Sequence, residues 1–174
     1  MNKVTQQEFD GFKLRVINSI MDIIKEYGQN DKTFEIHPTL YLKAFNKTHK
    51  ICPLPGELFE SDNLKDIAID LSRQMIRESE SPMMAFVTEG YQASIHEKNV
   101  RDINDLPRPS QLPEDQRDEV IFIAFESVNL NQYMISFIKK WDDQTQKFNL
   151  HPSNMGAEQP TGTAAGRFSN FYNK

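Results

Sequence analysis

Two short segments constrain this chain more than any other feature. Met83-Met84-Ala85-Phe86-Val87-Thr88-Glu89 and Val120-Ile121-Phe122-Ile123-Ala124-Phe125 are apolar at consecutive positions. A strand turns successive side chains to opposite faces, so such runs read as strands that are dry on both sides. They belong in the middle of a sheet, covered by helices on at least one face. The rest of the chain has to supply their neighbours and their cover.

Two helices are legible. Thr5 and Glu8 have capping-box spacing, in which each side chain satisfies an amide at the helix start. Phe9, Phe12, Val16, Ile17, Ile20, Ile24 and Tyr27 then recur at helical spacing, while Asp10, Lys13, Asn18, Asp22 and Lys25 fall elsewhere on the wheel. This predicts an amphipathic helix over residues 6–27, stopped by Gly28 in a left-handed conformation. Ser61 or Asp62 caps the second helix, and Leu64, Ile67, Ala68, Leu71, Met75 and Ile76 mark its stripe. It ends at Ser79-Glu80-Ser81-Pro82, where proline opposes continuation.

The remaining strands follow from turn chemistry. Thr39 to Phe45 and His49 to Pro53 form a hairpin around Asn46-Lys47-Thr48, and Pro53, Pro55 and Gly56 place it at a sheet edge. Tyr133 to Ile138 is a further strand, and Asp142-Asp143-Gln144 turns into a short one around Lys147 to Leu150. The expected fold is α+β, in the order α-β-β-α-β-β-β. It is a two-layer sandwich with a mainly antiparallel sheet of about five strands and both amphipathic helices on one face. The other face then needs a cover of its own: the tail, a hairpin or a second subunit, with a homodimer through the sheet as the expected arrangement.

A chain of 174 residues is one domain's worth. Residues 1–151 are expected to form that domain, and 152–174 a flexible tail holding Gly156, Gly162, Gly166, Pro152 and Pro160. The tail carries Phe168, Phe171 and Tyr172, rings that are costly to leave in water and that should dock on this protein or on a partner. A connector over residues 92–117, with Pro107, Pro109 and Pro113, is long enough to be functional or mobile.

Charge and composition narrow the function classes. Twenty Lys+Arg against 25 Asp+Glu give a formal charge of −5, which argues against a general nucleic-acid binder but leaves room for a local basic patch. Cys52 is the single cysteine, which excludes an intrachain disulfide and a Cys-rich zinc site and fits a reducing, cytoplasmic compartment. Neither a secretory signal nor a bilayer-spanning segment is read from the sequence, so no membrane association is expected. Phosphate-loop, dinucleotide-turn, nucleophile-elbow and zinc-helix motifs are missing, and no cofactor is expected.

Four constellations could still carry chemistry. His37, His49 and Cys52 are weak metal candidates, since no fourth ligand is specified; surface histidines and a packed thiol explain them as well. Glu89 approaches Arg117 and Glu119 if the two dry strands are antiparallel, and with His96 in the adjoining loop this is a candidate acid–base or ligand site; a rim salt bridge is the plainer account. Glu126 ends an apolar strand and reads as a solvated rim, as does Lys139-Lys140. Trp141 beside those lysines is a candidate exposed anchor for a partner.

One stretch, residues 64–126, is similar to a known group. The helix through Leu71 and Met75, then Met84-Ala85-Phe86-Val87-Thr88-Glu89-Gly90-Tyr91, a Pro-rich loop and Arg117-Asp118-Glu119-Val120-Ile121-Phe122-Ile123, resembles small uncharacterised α+β proteins of bacteriophages and mobile elements. The resemblance implies a small soluble accessory protein, acting on host machinery or within a larger assembly. The expected function is a non-enzymatic accessory or protein-binding domain. The rival reading is a small hydrolase or ligand-binding enzyme using Glu89, His96 and Arg117.

Overall fold

The computed structural model describes residues 3–43, 48–93, 108–130, 132–153 and 171–172. Helix α1 spans Gln6–Tyr27 and helix α2 spans Asp62–Glu78. Strands β1 to β6 span Thr39–Lys43, His49–Pro53, Met83–Gln92, Asp118–Ser127, Tyr133–Asp142 and Lys147–Pro152. They form one antiparallel sheet in the order β2-β1-β3-β4-β5-β6. The α+β class, two helices and antiparallel sheet are as the sequence predicts, and the short segment read around Lys147 to Leu150 brings the count to six, against the expected total of about five.

Local signals act as read. Thr5 Oγ1 accepts from the Glu8 amide at 3.2 Å and Glu8 Oε2 accepts from the Thr5 amide at 3.0 Å, closing the capping box. Ser61 caps α2, its hydroxyl accepting from the Leu64 amide. The dry runs are central strands: Met83 to Val87 is buried at every position, and β3 pairs with β4 on one side and β1 on the other.

The placement of the helices differs from expectation. Both were predicted on one face, but they lie on opposite faces, giving three layers. Phe9, Phe12, Val16, Ile20 and Ile24 of α1 pack on Tyr41, Met83, Ala85, Val87, Ile121, Ile123 and Phe125. Ile69 and Ile76 of α2 pack on the alternate residues Leu40, Leu42, Met84 and Phe86. The physical reason lies in the order of strands. β2 and β3 flank β1 and run in the same direction, so their connection has to cross a face of the sheet, and α2 is that crossing. Strands that are apolar on both sides are thereby covered on both sides.

The stripe of α2 is also rotated from its predicted aspect. Ala68, Ile69, Ser72 and Ile76 face inward, while Ile67 and Leu71 are exposed. Tyr27, the last member of the α1 stripe, is exposed as well. Gly28 is not left-handed; its φ is −85°. Its small size serves close packing instead, since a Cβ there would lie 2.6 Å from the Ile24 carbonyl oxygen and 3.1 Å from the Phe148 ring.

The predicted domain boundary at 151 moves slightly, because Pro152 ends β6 and the Ser153 amide donates to the Ser136 carbonyl at 3.0 Å. Of the segment expected as a flexible tail, Pro152 and Ser153 continue the sheet edge, Phe171 and Tyr172 are docked, and 154–170 lie outside the described residues. No helix among the described residues is long and apolar enough to cross a membrane.

Candidate functional site

The charged groups that sequence reasoning gathered around Glu89 are arranged differently in the fold. Register pairs Glu89 with Ile121, and alternation aims Glu89, Glu119 and Lys139 at the α1 face across β3, β4 and β5. Lys139 Nζ donates to Glu89 Oε1 and, at 2.6 Å, to the Phe34 carbonyl; Glu119 Oε1 is 3.6 Å away. Glu89 Oε2 accepts from the Ile36 amide at 2.7 Å. The side chains of Lys139 and Glu89 are 1% and 9% exposed, so this is a buried ion pair, and Lys139 is not the solvated rim expected of it. The ammonium also lies 4.3 Å from the centre of the Phe148 ring, a cation–π contact.

The loop between α1 and β1 closes over this pair. Phe34 and Ile36 lend it their main-chain groups, and the Asn30 amide donates to the Gln146 carbonyl at 2.9 Å, tying the loop to the β5–β6 turn. Gly28 lets the chain pass against Phe148 and Phe34. Burial raises the Glu89 carboxyl to about 7, against the pull of the Ile36 amide and the Lys139 ammonium. An acid poised near neutrality beside a lysine is the raw material of proton transfer. Here, however, carboxylate and ammonium are engaged by each other and by main chain, so the arrangement works as a clasp on the loop.

The other predicted members lie elsewhere. Arg117 does not pair with Glu89: its guanidinium stacks on Tyr91 at 4.1 Å and donates to the Ser110 carbonyl at 2.6 Å. His96 and most of the 92–117 connector, residues 94–107, lie outside the described residues. The three weak metal candidates do not converge, and no cluster of three potential ligands occurs among the described residues. In a strand an i, i+3 pair points to opposite faces, which separates His49 from Cys52. His49 stacks on Phe12 of α1 at 6.1 Å, whereas Cys52 packs in the α2-side core, where burial pushes its thiol pKa up.

Glu126 is likewise buried rather than rimmed by solvent, on the α2 face. Its carboxylate accepts from Gln132 Nε2 at 2.9 Å and from the Phe171 amide at 2.8 Å. Phe171 is 6% exposed and sits with Leu42, Ile76 and Met84. Tyr172 donates to the Ser81 carbonyl at 3.0 Å, and burial, reinforced by the Glu126 charge, raises its phenol pKa. These two rings therefore complete the protein's own core and are not free contact residues. Phe168 lies outside the described residues. Trp141 packs edge-on against Phe148 at 4.9 Å and donates to Asp143 at 3.0 Å.

Two further features were not singled out from sequence. A cleft of about 180 Å³ opens between the start of α1 and the β4–β5 turn. Its polar walls are already paired, Gln6 and Lys13 with Asp10, Asn129 with the Val4 main chain and Gln132 with Glu126. The second feature is the outer edge of β2, which among the described residues has a strand partner on one side only. Arg15, Lys43 and Lys50 gather there, and none makes a salt bridge among the described residues. His49 lies among them; partial burial and the charges of Arg15 and Lys43 hold its pKa below the ordinary histidine value. Its sequence signal is His49-Lys50 next to the edge-marking prolines, a local positive patch within a net acidic chain. Comparison with protein-family models, curated proteins and solved structures finds no match to this chain.

Proposed function

We propose that this chain is a non-enzymatic protein-binding domain whose contact surface is the outer edge of β2 and the cations around it. The observation that carries this reading is an imbalance of satisfaction. Glu89 and Lys139 are closed on each other and on main chain, whereas the β2 edge presents Arg15, Lys43 and Lys50, without a salt bridge among the described residues, beside Ile51, which is 54% exposed. Charge on a rim steers encounter and selects partners more than it adds affinity. A second copy of the chain fits this edge poorly, because cations would face cations.

The test is affinity capture with the full chain and with its Lys43→Glu/Lys50→Glu variant, read by mass spectrometry. At least one protein held by the parent should be lost by the variant, while the melting temperature changes little, because Lys50 is exposed on the edge strand and Lys43, at the end of β1, makes no ion pair among the described residues. Identical captured sets would overturn the reading.

A further inference from the structure

We infer that the β2 edge accepts an extended, carboxylate-bearing segment of a partner protein, which joins the sheet as an added strand. This rests on the protein-binding reading above and names the partner's chemistry.

The argument begins with the backbone. β2 is five residues long and ends the sheet, so the main-chain row on its outer side has no strand partner among the described residues. An extended peptide satisfies such a row by strand addition, with main-chain bonds supplying affinity and alternate side chains supplying choice. Alternate amides of β2 already face β1 and Pro53 donates no hydrogen bond, so the usable outward donors are those of His49 and Ile51.

Side-chain positions follow from register. Lys43 opposes His49 and Tyr41 opposes Ile51, which puts Lys43, His49 and Ile51 on the α1 face. Leu42 opposes Lys50, which puts Lys50 on the α2 face. Arg15 stands one helical turn beyond Phe12, the residue stacked on His49. An incoming strand therefore meets positive charge on both faces and an exposed aliphatic group between. Carboxylates at successive positions would reach Lys43 or Arg15 on one side and Lys50 on the other.

The same charges explain what the edge refuses. A lysine on an edge strand, here Lys50 with Lys43 on the adjoining strand, keeps identical copies from pairing edge to edge. A repulsive element against self is an attractive element for the opposite charge, so one device sets both exclusions and choice. A nucleic acid would use the cations but neither the open main-chain row nor Ile51, and the formal charge of −5 opposes it at longer range.

The experiment titrates three labelled probes into the full chain by fluorescence anisotropy. They are a Val-Glu-Glu-Glu-Val peptide, whose successive carboxylates face opposite sides of a strand, the same peptide N-methylated at alternate amides, and a single-stranded oligodeoxynucleotide. Amide hydrogen exchange of His49 and Ile51 is followed in parallel. The acidic peptide should bind and slow exchange there. N-methylation, and separately the Lys43→Glu/Lys50→Glu substitution, should each weaken binding about tenfold or more, and added salt should weaken it through screening. Equal binding of the N-methylated peptide would reduce the site to a charge patch and overturn strand addition. Tighter binding of the oligonucleotide, or binding of none of the probes, would overturn it too. If the peptide fails while the lysine variant still loses a captured protein, the strand chemistry falls and the protein-binding reading stands; if both fail, both fall.

Discussion

Glu89 and Glu126 are carboxylates buried on opposite faces of one sheet, and they are satisfied in different ways. Glu89 meets an ammonium, with one main-chain amide in support. Glu126 accepts from amide N–H donors, among them one from Gln132 and one from the main chain at Phe171. The first arrangement fastens a loop to the sheet, and the second fastens a distant segment of chain. An ion pair of this kind is costly to break by halves, because the surviving charge stays buried. A carboxylate that accepts from amides has a near-isostere in the carboxamide, whose oxygen keeps one of those bonds.

The largest expected effect separates these cases. Lys139→Met strands Glu89 and should cost about 3–5 kcal/mol in chemical denaturation. Adding Glu89→Leu should recover most of that loss, since a well-packed apolar pair can replace a buried ionic one. Failure of the double variant to recover would mean that the loop depends on the charges themselves. Phe171→Ala tests the other face: truncating a buried ring should cost about 3 kcal/mol, and a cost near zero would show that the docked segment adds little to the core.

The pH dependence distinguishes the faces further. The folded-state pKa of Glu89 is raised from 4.5 to about 7, so the folded protein holds its proton more tightly than the unfolded chain does. Its contribution is then most favourable below pH 4.5 and declines as pH rises towards 7. Glu89→Gln should flatten that part of the stability profile, measured as melting temperature against pH; an unchanged slope would place the titration elsewhere. The smallest effect is expected from Glu126→Gln, about 1 kcal/mol, because the amide oxygen can still accept from the Phe171 amide.

Much of this architecture was legible, and what was not has identifiable causes. The capping box, the proline-bounded hairpin and the two dry strands are local signals, and each produced the expected element. The opposite placement of the helices was hidden because it depends on strand order, which no single segment encodes. Adjacent Lys139 and Lys140 look equivalent in sequence, yet a strand must turn one inward, and only the register with Glu89 and Glu119 identifies which. The loop's part in the clasp is made by the Phe34 carbonyl and the Ile36 amide, groups that every such residue owns, so no side-chain pattern announces it. Tail docking was one of two stated alternatives, and the rings themselves could not choose between them.

Strand order also bears on how this chain assembles. Apart from β1 with β3, neighbouring strands in the sheet are consecutive along the chain, so most pairing is between sequence neighbours. Joining β1 to β3 instead requires closing the long excursion through β2 and α2. Closure entropy has to be met there before contacts reward it, which makes this seam the natural bottleneck of folding. Phe171 bridges the same region from far away in sequence, and its arrival should slow unfolding more than it speeds folding.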